Sequence, residues 1–417
     1  MSRKIVITGI GTVNPLGNDV ATTWAKVKNG ENGIGPITKF DLSGMFSGFS
    51  TKIAGEVRGL DMSKYAEKKE VRRMDAFIQY AMAASVQAME DAGLKDGGYD
   101  PERISVIFGN GIGGIETLEN NIVGLHNKGI NAVHPLLVPK MIINEAPGMV
   151  AIRFNAQGPS YGVVTACSSA TDAIGICMNL IQKGWIDVAI TGGTEAPITP
   201  LGVGGFCVLQ AVSSRNDDPE HASRPFDKDR DGFVIAEGSG VIVIEAEEHA
   251  KKRGAKIYCE MAGYGATCDA HHITAPHPDG IGAVRAMKLA VQEAGLKLED
   301  VDYINAHGTS TPINDPIETK AVKKLFGEHA YKLKMSSTKS MHGHLLGAAG
   351  GLEAVLCALA IKEQVFPPTR NLMEKDPECD LDYVPNKAVP GRIRAALSNS
   401  LGFGGHNGVL CFAQYKG

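Results

Sequence analysis

The sequence contains no run of about 18 apolar residues, so it offers no membrane-spanning helix. Its eight cysteines (Cys167, Cys177, Cys207, Cys259, Cys268, Cys357, Cys379 and Cys411) include no CxxC pair. In so long a chain this argues against a disulfide framework, and reduced thiols in a cytoplasmic protein are expected. No strong charge of one sign is present. Lys and Arg number 42 against 46 Asp and Glu, leaving −4, and nothing global suggests nucleic-acid or membrane binding. The opening MSRKIVITGIG has no apolar signal-peptide core and reads directly as a strand and turn. No low-complexity segment or long linker divides the chain.

What is abundant is glycine. Fifty of 417 residues, about 12% against a usual ~7%, imply many tight turns and close backbone approaches. The length exceeds one ordinary core and predicts two domains or two fused halves. Strand-like and helical runs alternate, which predicts an α/β fold. Ile5–Thr8 reads as a strand ending in a glycine turn, Tyr65–Ala92 as a helix, and Ile104–Phe108 as a buried strand before GNGIGG. Gly124–Pro147 reads as an excursion covering a site or an interface.

The second part replays the first. Strand Ile257–Tyr264 ends in Gly265 as the first ended in Gly9, and Glu293-Ala294-Gly295-Leu296 echoes Asp91-Ala92-Gly93-Leu94. A helix over Gly347–Ile361 occupies the place of the one after Cys167. The order predicts a duplicated βα unit, residues 1–254 and 255–417, packed as one body with reactive loops meeting between the halves.

Cys167 lies where a β-like run, Tyr161–Thr165, meets a helix that is apolar almost all round. A thiol there faces the positive end of the helix dipole, which predicts a pKa below the free value of roughly 8.5. Ser168, Ser169 and Thr171 are candidates to satisfy the free N–H groups of the first turn. His307, in NAHGTSTPIND, follows a buried strand, where catalytic groups favour open α/β sheets. His344 stands in SSTKSMHGHLLGAAGG just before a helix. The loop Ser400–Gly405 can expose N–H groups as an oxyanion hole. Each of these residues taken alone has a structural reading as a core thiol or a hydrogen-bonded loop histidine.

Together the segments TACSS around Cys167, RPFDxDRDGF at 224–233, HGTSTPxxD at His307, STKSMxGHLLGAAG at His344 and NSxGFGG at 399–405 resemble the β-ketoacyl-[acyl-carrier-protein] synthases. The elongating type II members of dissociated fatty-acid synthesis are the nearest in pattern. The match runs from the first strand to the last in the same order. The resemblance implies a five-layered αβαβα thiolase-like fold of two related halves, a homodimer, and decarboxylative condensation of an acyl-enzyme thioester with malonyl carrier protein. It implies Cys167 as nucleophile, His307 and His344 as the pair that promotes decarboxylation and holds the enolate, and Lys339 as support for the second histidine. It implies an oxyanion hole from the N–H groups of Cys167 and Phe403, with Phe403 also the gate. Ile112 and Phe233 would line the acyl pocket, and Thr309 and Thr311 the pantetheine arm. No cofactor is implied beyond the phosphopantetheine of the carrier. Leu401, where relatives often have Phe, and His342 and His406, where Thr is common, depart from the pattern.

The residue types suit that chemistry. Thioester attack develops an oxyanion that needs two N–H donors, and decarboxylation develops an enolate that two imidazole N–H groups stabilise. A Cys–His–Asn set would indicate a primer-starting synthase, and a second cysteine for a histidine a thiolase. A cysteine hydrolase, a chain-length-factor-like partner subunit and a polyketide ketosynthase are the rival readings. GNGIGG after a strand could suggest a dinucleotide, but no clean acidic strand end follows about 20 residues on. His307, His342 and His344, with Asp269 and His272 nearby in type, match no standard zinc spacing, so no catalytic metal is expected; a structural monovalent cation on a carbonyl loop stays open. Lys64, Lys68, Lys69, Arg72 and Arg73 form a basic cluster, four of them on one face of the expected helix. It is either a solvated face or the docking site of an acidic carrier protein, with Lys69, Arg72 and Arg73 the candidate contacts.

Overall fold

A computed structural model describes residues 3–417. Its centre is a ten-stranded sheet whose strands are β1 (Ile5–Val13), β2 (Ile104–Gly109), β3 (Ser160–Val163), β4 (Val188–Glu195), β5 (Gly238–Ala246), β6 (Cys259–Cys268), β7 (Val301–Asn305), β8 (Lys334–Ser336), β9 (Ala395–Gly402) and β10 (His406–Ala413). Their order is β8-β7-β9-β10-β6-β1-β5-β4-β2-β3. Reading outward from the β6–β1 seam, each side has the same succession. Two strands pair antiparallel, a third antiparallel to the second, and the last two run parallel to it. The seam itself rests on two residue pairs, Val6 with Glu260 and Ile7 with Cys259. The topology of the first five strands is therefore repeated in the last five.

Helices fill both faces. Ser169–Gln182 and Ala349–Glu363 pack on each other and against strands of both sides, forming a central layer. Ala76–Asp91 covers the outside of the first five strands, and Ile281–Glu293 with Asn314–Phe326 the outside of the last five, giving the αβαβα stack. The sequences suit these positions. Ala349–Glu363 is apolar all round and is buried from Ala349 to Ile361, as a helix between the two halves of the sheet must be. Strands β1 and β5 are buried on both faces along their whole length and read as Ile/Val runs rather than alternating ones.

The echo of Gly9 in Gly265 has a steric cause. A Cβ on Gly9 or Gly11 would lie 2.1 or 2.0 Å from a carbonyl of the Ala76–Asp91 helix. A Cβ on Gly263 or Gly265 would lie 2.1 Å from Ala290 O or Ala286 O of the Ile281–Glu293 helix. Alanine-lined helices press directly onto bare strand backbone on both sides of the molecule.

One sequence expectation of the fold needs correction. The helix read over Tyr65–Ala92 is broken: a single turn, Lys68–Val71, is separated from Ala76–Asp91 by Arg72–Asp75. Asp75 ends the break because its carboxylate caps Phe77 N–H and also accepts from the Thr117 N–H and hydroxyl. Lys68, Lys69, Arg72 and Arg73 therefore share no continuous helical face. They remain exposed, and Lys69 pairs with Glu67 at 3.0 Å. The Gly124–Pro147 excursion is helical in part, with Ile115–Lys128, Leu137–Met141 and the start of Glu145–Phe154.

Candidate active site

Cys167 sits on a tight turn, Ala166–Ser168, between β3 and the central helix Ser169–Gln182. Ala166 holds a left-handed φ of 51°, a conformation that costs an L-residue roughly 1–2 kcal/mol and aims the next side chain out of the turn. The second half has the same device: Leu346, with φ 49°, precedes Gly347 at the start of the other central helix. The expected hydroxyl caps on the nucleophile helix are absent. Ser169 Oγ instead accepts from Thr165 N–H and donates to Ala166 O, while Ser168 Oγ and Thr165 Oγ1 donate to Asp172. Asp172 also accepts from Tyr264 of β6 at 2.8 Å, so the nucleophile turn is braced by the other half. Thr171 pairs with Ser400.

The structure brings Cys167, His307 and His344 together. Their donor atoms lie within 4.8 Å of one another, the one such Cys/His/acid cluster among the described residues. His344 Nε2 is 3.2 Å from Cys167 Sγ, and the two imidazoles meet edge to face with centroids 5.4 Å apart. Leu346 N–H donates to His344 Nδ1 at 3.2 Å. That bond fixes the neutral tautomer: Nδ1 is an acceptor, so Nε2 carries the proton and points it at the reaction centre. His307 follows β7, and Glu318 anchors its turn by accepting from His307 N–H at 2.9 Å and Gly308 N–H at 2.8 Å. Burial and the Lys339 charge hold both histidines well below the ordinary imidazole value, so both are neutral.

Lys339 is fully buried and its Nζ hydrogen-bonds Glu353. It supports the histidines by its field rather than by a bond to His344.

The pKa expected for Cys167 is corrected. Burial pushes its thiol up to about 11, while the Lys339 charge and the facing Phe403 N–H pull it down. Desolvation in a deep pocket outweighs a half-charge at one helix end. The turn Phe403–Gly405 brings that N–H to the sulfur, and it does so with left-handed Gly404 and Gly405 at φ 82° and 77°. Gly402 is also obligatory, since a Cβ there would lie 2.9 Å from Thr165 O and 3.1 Å from Cys167 N.

A cavity of about 460 Å³ opens onto these groups. Cys167, His307, His344, Ile112, Phe233, Thr309, Thr311, Leu401 and Phe403 all line it. Phe233 meets the His344 ring edge to face at 5.4 Å, and the Thr309 and Thr311 hydroxyls pair at 2.9 Å. His342 lies behind the site. Its Nδ1–H donates to Gly343 O at 2.7 Å, and burial with the Lys339 charge pushes it down to about 3. His406 is half-buried and packs on Gly404. The basic residues Lys69, Arg72 and Arg73 are not among the cavity lining.

The GNGIGG loop is occupied by the protein itself. Gly111 and Ile112 N–H donate to Glu195, and Ile112 and Gly113 N–H to Asn110 Oδ1. Among the described residues, both amide atoms of Asn305, His307 Nδ1, Glu353 Oε2, Ser398 Oγ and Asn399 Oδ1 are buried without a hydrogen-bond partner.

The sequence did not single out Glu195, Asp172, Glu318 or Glu353. An acid placed inside a largely apolar run is the one trace that Glu195, Asp172 and Glu353 leave, and Glu318, in NDPIETK, leaves none.

Residues 2–250 match the model described as Beta-ketoacyl synthase, N-terminal domain, and residues 258–373 the Beta-ketoacyl synthase, C-terminal domain. The chain is 51% identical over 414 residues to a 3-oxoacyl-[acyl-carrier-protein] synthase 2 of Synechocystis sp., with 99% of each chain covered. It is 50% identical over 415 residues to the protein of the same name from Staphylococcus aureus, covering 100% of this chain and 99% of the relative. Among solved structures, a type II polyketide ketosynthase in complex with its acyl-carrier protein superposes with a TM-score of 0.92 at 34% identity, with 100% of both chains covered.

Proposed function

The chain belongs to the β-ketoacyl synthase family, and we propose that it elongates acyl chains in type II fatty-acid synthesis with Cys167, His307 and His344 as its reacting groups. The observation that carries this reading is the convergence of one sulfur and two neutral imidazoles on the wall of a largely apolar cavity. In the first half-reaction the sulfur of Cys167 attacks the acyl thioester. The acyl–S bond to pantetheine breaks, the new acyl–S bond to Cys167 forms, and the thiol proton ends on the departing pantetheine thiol. The Cys167 and Phe403 N–H groups stabilise the oxyanion. In the second, malonyl carrier protein loses carbon dioxide. The electron pair of the broken C–C bond becomes an enolate held by the Nε2–H of His344 and by His307. Its carbon attacks the acyl-enzyme, giving 3-oxoacyl carrier protein and returning Cys167 to thiolate.

Identity of about half to the fatty-acid relatives, against a third to the polyketide enzyme, supports fatty-acid elongation over polyketide synthesis. Condensation rates for a ladder of acyl carrier proteins with malonyl carrier protein test the reading. A single two-carbon extension with stoichiometric carbon dioxide is expected; hydrolysis without condensation would sink it.

No metal takes part in this scheme. A chelator leaves the rate unchanged, whereas added zinc, which prefers sulfur and imidazole ligands, ties up the Cys–His–His set and inhibits.

The protein works as a homodimer in the cytoplasm. Strand β3 ends the sheet with an unpaired edge, and Tyr161, Val164 and Ile152 on and beside it are 40%, 55% and 78% exposed. An edge of this kind calls for a partner. The carrier protein is acidic and approaches over Lys69, Arg72 and Arg73.

A further inference from the structure

Glu195 closes β4 and is fully buried, and no Lys, Arg or His pairs with it among the described residues. Its two oxygens accept three backbone N–H groups: Oε2 from Gly111 at 2.7 Å and Gly347 at 3.0 Å, and Oε1 from Ile112 at 3.1 Å. Gly111 and Ile112 belong to the loop after β2 in the first half, and Gly347 opens the central helix of the second. The join is tight. A Cβ on Gly347 would lie 2.4 Å from Gly111 N and 2.7 Å from Glu195 Oε2, and one on Gly111 would lie 2.9 Å from the same oxygen. The neighbours of these contacts do the work of the site. Ile112 lines the cavity, and Leu346, next to Gly347, holds His344 Nδ1 through its N–H.

We propose that Glu195 is a positioning residue whose two acceptor oxygens lock the acyl-pocket loop to the turn fixing the tautomer of His344. The inference rests on the function proposed above and concerns a residue to which that mechanism gives no task. The chemistry of the side chain is what the geometry demands. A carboxylate is acceptor-only on both oxygens and can serve three N–H groups, whereas an amide of the same size sets its own N–H₂ against one of them. Ile112 N–H keeps Asn110 Oδ1 as an acceptor at 3.0 Å, but the amide N–H₂ set against it breaks its bond to residue 195 and pushes the loop away from the turn.

Glu195→Gln is the test, because it keeps volume and removes only acceptor capacity and charge. Carbon dioxide release from malonyl carrier protein is expected to fall about 10–10²-fold, the scale of a small misplacement in a preorganised site. Alkylation of Cys167 at pH 8 to 9, above the value of about 7 to which burial raises the Glu195 carboxyl, is expected to rise, since the Glu195 charge opposes the thiolate. A general loss of structure would lower both. Imidazole ¹⁵N spectra are expected to show His344 Nδ1 losing its fixed acceptor state. Should the Gln variant fail to fold, Glu195→Asp keeps the charge with a shorter reach and is expected to fold and show the same fall in decarboxylation with alkylation little changed. Wild-type decarboxylation with an unchanged His344 signal in the folded variant overturns the proposal, as does an equal loss of both activities. If the wild-type protein itself releases no carbon dioxide, the function reading fails instead, and the His344 signal still reports on Glu195.

Discussion

At the scale of single residues, the tautomer of His344 divides the labour. With Nδ1 engaged by Leu346 N–H, Nε2 is a donor and has no lone pair for the thiol proton. His344 thus serves the enolate rather than activating Cys167. His307→Ala and His344→Ala should each still take one acyl group on Cys167, more slowly, but lose about 10²–10³ in carbon dioxide release. The double variant should lose little more, since the two donors act as a unit. Labelled carbon dioxide and acyl-enzyme formation, followed on the same samples, decide this. A variant that decarboxylates normally yet cannot be acylated makes that histidine a base. Cys167→Ala should abolish acyl transfer and condensation, and mass spectrometry should find the acyl group of the parent protein on Cys167 and not on exposed Cys268.

Lys339 carries the pH prediction. Its charge lowers the histidines and Cys167 alike. Lys339→Met should therefore raise both imidazoles toward their ordinary value, moving the acid limb of decarboxylation to higher pH, and raise the thiol further. Alkylation of the wild-type thiol should climb about tenfold per pH unit from pH 7 to 9 with no plateau, because the folded value near 11 lies above that window. A plateau below pH 8 would mean that the helix end and the N–H donors outweigh burial after all.

At the scale of elements, the two central helices touch through a glycine. A Cβ on Gly350 would lie 2.1 Å from Thr171 Oγ1 and 2.9 Å from Thr171 N. Gly350→Val should force the helices apart and cost about 1–3 kcal/mol, seen in denaturant unfolding, and it should lower activity because Cys167 and Gly347 open these same helices. A variant of wild-type stability would show that this crossing is loose. The basic turn makes a different prediction. Lys69→Glu, Arg72→Glu and Arg73→Glu together should raise KM for carrier-bound substrate and flatten its salt dependence, while sparing small pantetheine thioesters. Equal losses with both substrates would point to damage at the Asp75 cap next to these residues.

At the scale of the molecule, the sheet ends in an open edge at β3, four residues from the nucleophile. Tyr161→Asp with Val164→Asp should convert a dimer to a monomer in sedimentation and reduce activity, because the edge strand leads directly into the Cys167 turn. Dimers that persist would place the interface elsewhere.

The sequence by itself determined the α/β class and the repeated order of strands and helices. Periodicity and glycine punctuation are local, and each half carries its own copy. It also pointed to Cys167, His307 and His344, which the structure brings together, because their flanking segments are long and specific. Its misreadings came where a distant contact outranks local pattern. The run over Tyr65–Ala92 has helical periodicity, but Asp75 is held by Thr117, 42 residues away, and breaks it. A competing local contact did the same for Ser168 and Ser169, which have capping chemistry but bond Asp172 and Thr165, each four residues away. The Cys167 pKa follows from burial under loops that no local segment encodes. Only the tertiary structure could decide the tautomer of His344 and reveal the Glu195 join. Both depend on hydrogen bonds whose partners are brought together by the packing of one half on the other. A carboxylate at a strand end has no recognisable pattern until the three N–H groups it serves arrive from two other parts of the chain.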